Sequence, residues 1–554
     1  MGGTGPPGPP TLTDLASHLW VWDAAGRPYR ADRPPSTLGD SLDPAPVARW
    51  ELATSTPTNV TLAVLVQPVS PGVLALRVTP SPPAEVSAVG ACVPAQPDEH
   101  LFGLGARFGS LDLVGQVVES WVDERAVPHG ERRSHSPTPF LLSSRGYGLL
   151  LDTPARVVFD LRTDVCACYA VRVEEPRLQG YLIRGPDPHV ILERHAVLVG
   201  LPPLPPPWAF GVWKNLIGGQ ARVERDVQRL RQDDVPLDAV WIYDAVDDRA
   251  GFGWPWPVHG PIPPGEYPDL PGLIRRLHQA NLKVLGYTHP FLYPGSPSFA
   301  EAQRRDLLVR TLGGQPYVEP WTFTARSYLD FTSAAAARWW QRRVRFALTV
   351  LGFDGAMLDF GEGAPLNARY AAGRSGALVH NLYPVLYVRA AHEVGQAVKP
   401  GDAVFFARAG YSGSQAYTTG RFPCDQARSW DRERGLPAAL AAMLSGSLSG
   451  WPYWGPDIAG YFDGGWALGP PEERERRRQA EKELWIRWVQ LGPCPRPCGT
   501  CWVRSATRSG SGPTARRCEC SGRMPGSTPR SSPTSTGTPS WPTGGGSRSS
   551  APCS

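Results

Sequence analysis

Two acidic segments hold the residues best suited to chemistry. One runs Phe353-Asp-Gly-Ala-Met-Leu-Asp-Phe-Gly-Glu362, the other Phe422-Pro-Cys-Asp-Gln-Ala-Arg-Ser-Trp430. The first reads as a short buried strand that delivers Asp359 to its C-terminal end. The second puts Asp425 in a loop of Pro, Cys and aromatic residues, after the strand-like run Ala403–Arg408. Carboxylates presented from separate strand ends of one α/β framework suit glycosidic bond cleavage, where one attacks or stabilises the sugar cation and the other handles the proton. Taken alone, Asp359 also fits a loop cap or a metal ligand.

The elements that would position these residues change character along the chain. Residues 1–10 carry neither the basic nor the apolar region of a signal peptide and read as a disordered N-terminus. Over 11–205 short alternating runs recur (Val60–Val66, Val73–Val78, Tyr147–Leu151, Val157–Leu161, Tyr169–Val173) with no helical stretch, which predicts a β-sandwich. The stiff linker Leu201-Pro-Pro-Leu-Pro-Pro-Pro207 marks a boundary.

From 206 to 492 helical segments (Val223–Gln232, Leu270–Ala280, Ala334–Leu351, Gly376–Val394) alternate with strand-like runs. The latter are Ala209–Trp213, Ala239–Tyr243, Val284–Tyr287, Gly355–Leu358 and Ala403–Ala407. This alternation predicts an α/β fold of the (β/α)8 TIM type. Lys214, Asp244, His289, Asp359 and Arg408 stand just past strand ends, the positions that face the active site of such a barrel.

Composition narrows the function classes. The chain has 554 residues, 42% apolar, with 20 Trp, an enrichment that suits sugar rings stacking on indoles as well as an ordinary core. The net charge of +5 is set by the tail: residues 493–554 hold eight Arg and one acid, Glu519, so residues 1–492 sum to −2 (5 − 7). That leaves no basic footprint for nucleic acid. No run of about 18 apolar residues suggests a membrane span.

Six of the 10 Cys lie in the tail; Cys166 and Cys168 share a strand face too close together to bridge. With no disulfide framework in view, the reading is cytoplasmic. The tail lacks Leu, Ile, Phe, Tyr, Lys and Asp and reads as disordered. Arg outnumbers Lys 52 to 4, as in a GC-rich gene, and the tail has the composition of such a gene translated out of frame. A zinc site from Cys498-Gly-Thr-Cys501 and Cys518-Glu-Cys520 is the competing reading, although the second pair has only one intervening residue.

Several motifs together resemble glycoside hydrolase family 31, the retaining α-glucosidases, α-xylosidases and sulfoquinovosidases. Leu101-Phe-Gly-Leu-Gly-Ala-Arg-Phe108 and Ser143-Ser-Arg-Gly-Tyr-Gly148 are similar to its pre-barrel signatures. Pro236–Asp244 and Gly286-Tyr-Thr-His-Pro-Phe-Leu292 resemble its second and third barrel strands, and Gly355–Glu362 its nucleophile strand. Phe405-Phe-Ala-Arg-Ala-Gly-Tyr-Ser-Gly-Ser-Gln415 and Trp454-Gly-Pro-Asp-Ile-Ala-Gly-Tyr461 resemble later ones; the wording of Asp359-Phe-Gly-Glu362 and Arg408-Ala-Gly-Tyr-Ser-Gly-Ser-Gln415 is similar to the bacterial branch that includes sulfoquinovosidases.

The resemblance implies Asp359 as nucleophile and Asp425 as general acid/base, with the latter's pKa raised by burial and the nearby carboxylate, and the carboxyl groups about 5–5.5 Å apart. It implies Asp244 and Arg408 as partners of sugar hydroxyls, or else members of structural salt bridges. Phe422 stands where the family usually has Trp, keeping an aromatic wall without the indole N–H. Asp457 is implied near the pocket floor, in contact with substrate or purely structural. Glu362 reads as orienting, and Lys214 and His289 have no assigned role. No metal or organic cofactor is implied, and the partner is a small-molecule α-glycoside. The Arg-x-x-Trp element of sulfoquinovosidases is replaced by Arg249 and Trp254-Pro-Trp256, so a neutral α-glucoside or α-xyloside is expected. The family's substrate-binding His, eighth strand and C-terminal β domain are not recognisable after Gly492. An inactive, truncated sugar binder is therefore the alternative.

Overall fold

A computed structural model describes residues 19–23, 25–30, 48–53, 60–96, 98–123, 132–162, 168–245, 266–321, 324–461, 471–491 and 503–505. Outside these fall residues 1–10, Cys166, the Arg249/Trp254–Trp256 element, both tail Cys pairs and nearly all of the tail. The described residues belong to one compact unit.

The N-terminal part is a sandwich of a six-stranded and a seven-stranded sheet, their strands paired antiparallel. Alternation fixes the buried faces. In the strand Thr61–Ser70, Leu62, Val64 and Val66 point inward, where they meet Leu76 and Val78 and the facing sheet's Val89, Val171 and Phe159. Two features differ from the sequence reading. Cys92 and Cys168 form a disulfide between neighbouring strands of the six-stranded sheet. The sequence reading, which saw no disulfide framework, did not anticipate this pairing. A helix, α1 (Pro188–Val199), also follows the last sandwich strand, started by Asp187, whose carboxylate accepts the His189 and Val190 N–H groups.

Past the proline linker, eight short parallel strands form one sheet: β1 (Val212–Asn215), β2 (Ala239–Trp241), β3 (Lys283–Thr288), β4 (Gly355–Leu358), β5 (Val404–Ala407), β6 (Gly420–Arg421), β7 (Asp457–Ile458) and β8 (Val503–Ser505). Their order is β6-β5-β4-β3-β2-β1-β8-β7. A parallel bridge from Arg421 to Trp454 joins β6 to the residues leading into β7. Helices α2 (Gln220–Gln232), α3 (Leu270–Gln279), α4 (Ala334–Phe346), α5 (Tyr383–Val398), α6 (Leu436–Ser447) and α7 (Pro471–Leu491) supply crossovers.

The barrel is TIM-like but incomplete. A single 3-10 turn, Ser414–Tyr417, replaces the helix between β5 and β6, and no helix follows β8 among the described residues. The expectation of a missing eighth strand is corrected in one respect: three residues of the tail pair with β1 and β7. An unpaired gap there would leave two rows of backbone donors and acceptors open.

The barrel interior is aromatic. Trp213, Trp241, Tyr287, Phe406 and Phe422 from five strands and strand ends pack with Leu285, Met357 and Val404. Strands β4 and β5 approach so closely that a Cβ on Gly355 would come within 1.8 Å of the Val404 carbonyl oxygen, which makes this glycine a steric requirement.

At the opposite end of β4 from the site, buried Asp354 ties four elements together. It accepts from His278 Nε2 of α3 at 2.7 Å, Lys399 Nζ after α5 at 3.0 Å and the Val284 N–H of β3 at 2.9 Å. Burial would raise its pKa, but these donors outweigh burial and hold it at about 2. A depressed carboxylate contributes stability above its ordinary pKa of 3.8 and loses it as pH falls through about 2. Asp354→Asn is therefore expected to cost about 2 kcal/mol at neutral pH. In urea denaturation from about pH 7 to about pH 2, the gap between wild type and variant should close on the acid side.

Candidate active site

The site is built at the C-terminal ends of β4, β5 and β6. Strand β4 is buried along its whole length, and its ladder extends one residue further because the Asp359 N–H donates to the Thr288 carbonyl at 3.0 Å. The chain then turns at Phe360, which is left-handed at φ 60°. That turn lets Asp359 Oδ1 accept the Phe360 N–H at 3.0 Å, while Oδ2 accepts the Tyr287 hydroxyl at 2.5 Å.

Arg408, one residue past β5, reaches across. Its Nη1 lies 3.2 Å from Asp359 Oδ1, and its Nε donates to Glu362 Oε1 at 2.5 Å. The guanidinium rests on the Phe360 ring, 3.9 Å from its centroid. Only 4% of Arg408 is exposed, and 8% and 1% of the two carboxylate residues. Burial by itself would depress the Arg408 pKa; Asp359 and Glu362, with smaller contributions from Cys424 and Asp425, drive it well above the ordinary value. The cation is permanent.

Asp425 follows β6 and is half-buried. Cys424 before it is left-handed at φ 67°, so each candidate carboxylate has a non-glycine residue in strained backbone next to it. The Cys424 thiol is raised well above its ordinary pKa by burial and by Asp425, and stays protonated. Its Sγ sits 3.2 Å from His135 Nε2. His135 comes from the sandwich, as does Ser136, whose hydroxyl donates to the Arg408 carbonyl at 2.9 Å.

Tyr461 links the remaining acids. Burial raises its hydroxyl pKa far above normal, reinforced by Tyr243 and by the negative charges of Asp425, Asp359 and Asp457. Asp457, on β7, is fully buried. Asp244, past β2, accepts from the Tyr267 hydroxyl at 2.5 Å and the Gly218 N–H at 2.6 Å; burial raises its pKa despite these donors. Phe422 is part of the aromatic interior, edge-on to Phe406 at 6.2 Å.

His289 stacks on Phe291 at 4.2 Å and meets Tyr287 edge-on, bordering the site as a neutral ring whose pKa burial lowers to about 3. Lys214 differs from the strand-end reading. Burial lowers its pKa to about 8, opposed by the negative charge of Asp226 on α2, whereas its neighbour Trp213 fills the interior.

Sequence reasoning passed over Tyr287, Tyr461, Tyr267 and His135. For Tyr287 the signal was available, since it lies on β3 two residues beyond inward-facing Leu285. The others depend on loop paths and domain docking.

A β-sandwich leading into a parallel α/β barrel whose strand ends gather carboxylates around a cation defines the class. The chain belongs to glycoside hydrolase family 31. Residues 202–495 match the glycosyl hydrolases family 31 TIM-barrel domain, and residues 17–160 the glycosyl hydrolase 31 N-terminal galactose mutarotase-like domain. It is 30% identical over 412 residues to the alpha-xylosidase XylQ of Lactiplantibacillus pentosus, covering 71% of this chain and 50% of that protein. It is 25% identical over 425 residues to the sulfoquinovosidase of Escherichia coli K12, covering 72% and 60%. A solved GH31 family sulfoquinovosidase from E. rectale, in complex with an aza-sugar inhibitor, shares the fold at TM-score 0.71 and 22% identity, over 86% of this chain and 73% of that one. The chain thus spans about half the length of the xylosidase and under two thirds of the E. coli sulfoquinovosidase.

Removing the central cation should be costly. Arg408→Met leaves Asp359 and Glu362 buried without their counter-charge, so about 3 kcal/mol of stability is lost at neutral pH. Urea denaturation of wild type and variant at neutral pH checks this.

Proposed function

We propose that this chain is a retaining α-glycosidase acting on terminal α-linked glucosides or xylosides through a covalent glycosyl-enzyme. The observation that carries the proposal is the position of Arg408, whose Nη1 lies 3.2 Å from Asp359 Oδ1 and whose raised pKa also owes a small part to the negative charge of Asp425 after the next strand. In this reading the two carboxylates flank the scissile bond, Asp359 held as an acceptor and Asp425 half-buried, as a double displacement needs.

In the first step the Asp359 carboxylate attacks the anomeric carbon from the β face while Asp425 gives its proton to the departing glycosidic oxygen. The C1–O bond to the leaving group breaks, and an ester to Asp359 forms. The Tyr287 hydroxyl, the Phe360 N–H and Arg408 fix the Asp359 oxygens, so little reorganisation is needed as its charge passes to the sugar. In the second step Asp425, now ionised, takes a proton from water; the water oxygen bonds to C1 and Asp359 departs. Two inversions give net retention.

In this reading Asp244 and Asp457 accept hydrogen bonds from sugar hydroxyls, and Phe422 backs the wall of the sugar site. The reading of a neutral sugar rests on the altered Arg249/Trp254 element, and the similarity to an alpha-xylosidase supports including xylosides. No cofactor is invoked.

The test uses the purified chain with aryl α-xylosides and α-glucosides. Wild type should release the α-anomer first, followed by proton NMR. Asp359→Ala should lose at least about 1000-fold in kcat, and Asp425→Ala about 100-fold or more. Turnover near wild type in either variant, a β-anomeric first product, or sugar binding without turnover in wild type contradicts the proposal.

A further inference from the structure

We infer that His135, supplied by the N-terminal sandwich, is a positioning residue that aims Asp425 through the Cys424 thiol. The inference rests on the glycosidase reading above and adds a residue outside the barrel to it.

The argument starts from backbone conformation. Cys424 holds a left-handed φ of 67° immediately before Asp425, a conformation that a non-glycine residue keeps only when its surroundings impose it. Its side chain is 1% exposed, and its Sγ meets His135 Nε2 at 3.2 Å. The same nitrogen lies 3.7 Å from Glu362 Oε1, which in turn accepts Arg408 Nε at 2.5 Å. Arg408 reaches Asp359 at 3.2 Å. One imidazole therefore stands between the loop that presents the acid/base and the cation that holds the nucleophile. The charged groups that act on this cluster include Asp425, Arg408 and Glu362.

The backbone segment that carries the imidazole is held from two sides. The Gly410 N–H donates to the His135 carbonyl at 3.0 Å, and Arg421 Nη1 donates to Ser136 Oγ at 2.9 Å. These contacts fix the segment on β5 and β6 together, so a shift of the sandwich would move His135 relative to Asp425. A general acid must meet the departing oxygen within hydrogen-bond reach, and a displacement of about 1 Å is costly. Nothing in this scheme needs His135 to touch substrate.

A purely structural histidine at the interface and a positioning one predict different kinetics. A misplaced acid slows departure of poor leaving groups far more than departure of activated ones, which need little protonation. The experiment measures kcat and KM for the full chain with a series of aryl α-glycosides of graded leaving-group acidity plus the glycosyl fluoride. Wild type, His135→Ala, Cys424→Ala, Cys424→Ser, the His135/Cys424 double alanine variant and Asp425→Ala are compared.

The expected result with His135→Ala is a loss of kcat/KM, which reports leaving-group departure alone, at least about tenfold larger for the poorest leaving group than for the fluoride. Cys424→Ala should give the same slope, Cys424→Ser should recover part of it, and the double variant should add little, as for residues acting as one unit. A uniform loss across all leaving groups, or no loss, overturns the inference. Should His135→Ala fail to fold, the Cys424 pair decides on the same criteria. If Asp425→Ala itself shows no leaving-group dependence, or wild type shows no turnover, the glycosidase reading fails instead. If Asp425→Ala shows it and the His135 and Cys424 variants do not, only this inference falls.

Discussion

A permanently charged arginine sealed at the top of the barrel is the constraint from which the rest follows. Arg408 is almost fully buried, and burying a guanidinium is tolerable only with opposite charge and hydrogen bonds in place. Asp359 and Glu362 supply both. Satisfying the cation requires the ends of β4 and β5 to be adjacent, which the Gly355–Val404 approach permits, and requires Phe360 to take a strained turn that brings its ring beneath the guanidinium. The electrostatics that stabilise the barrel's upper rim therefore also hold a carboxylate in one orientation.

The sandwich completes the arrangement. Its Ser134–Ser136 segment passes along the β5 and β6 ends, where Ser136 bonds the Arg408 carbonyl and Arg421, and His135 bonds Cys424. Arg107, also from the sandwich, is buried with its hydrogen bonds directed to carbonyls of Leu104, Arg132 and Glu119, and fixes the neighbouring sandwich segments. The helix α6 packs against this same region through Ser445, whose hydroxyl donates to the Gly105 carbonyl at 2.7 Å. The two layers act as one frame around the strand ends.

Much of this was legible in the residues. Gly355–Leu358 between two aspartates reads as a buried parallel strand, and it is β4. The helices α2, α3 and α4 carry apolar stripes at helical spacing, and their observed starts lie at most three residues from the expected ones. Other elements gave weaker signals. In α1 the apolar residues do not form one stripe, since Val197 is 72% exposed while Ile191 is buried, so the segment looked irregular. The Cys92–Cys168 pairing depends on two strands 76 residues apart becoming neighbours, which local pattern does not encode. Val503–Ser505 sits in polar, arginine-rich sequence with no strand period, and its place is set by the gap between β1 and β7. At the site, the acids were visible because strand ends are, whereas His135 and Tyr461 become site residues only through docking of separate segments.

Everything turns on whether Asp359 becomes bonded to sugar. The most direct measurement is incubation of the chain with a 5-fluoro-α-glycosyl fluoride, followed by proteolysis and mass spectrometry of the peptides. The account predicts one glycosyl ester, located on Asp359 within the segment Gly355–Glu362. A label on a different carboxylate, or a chain that turns over substrate without ever carrying a label, would contradict it.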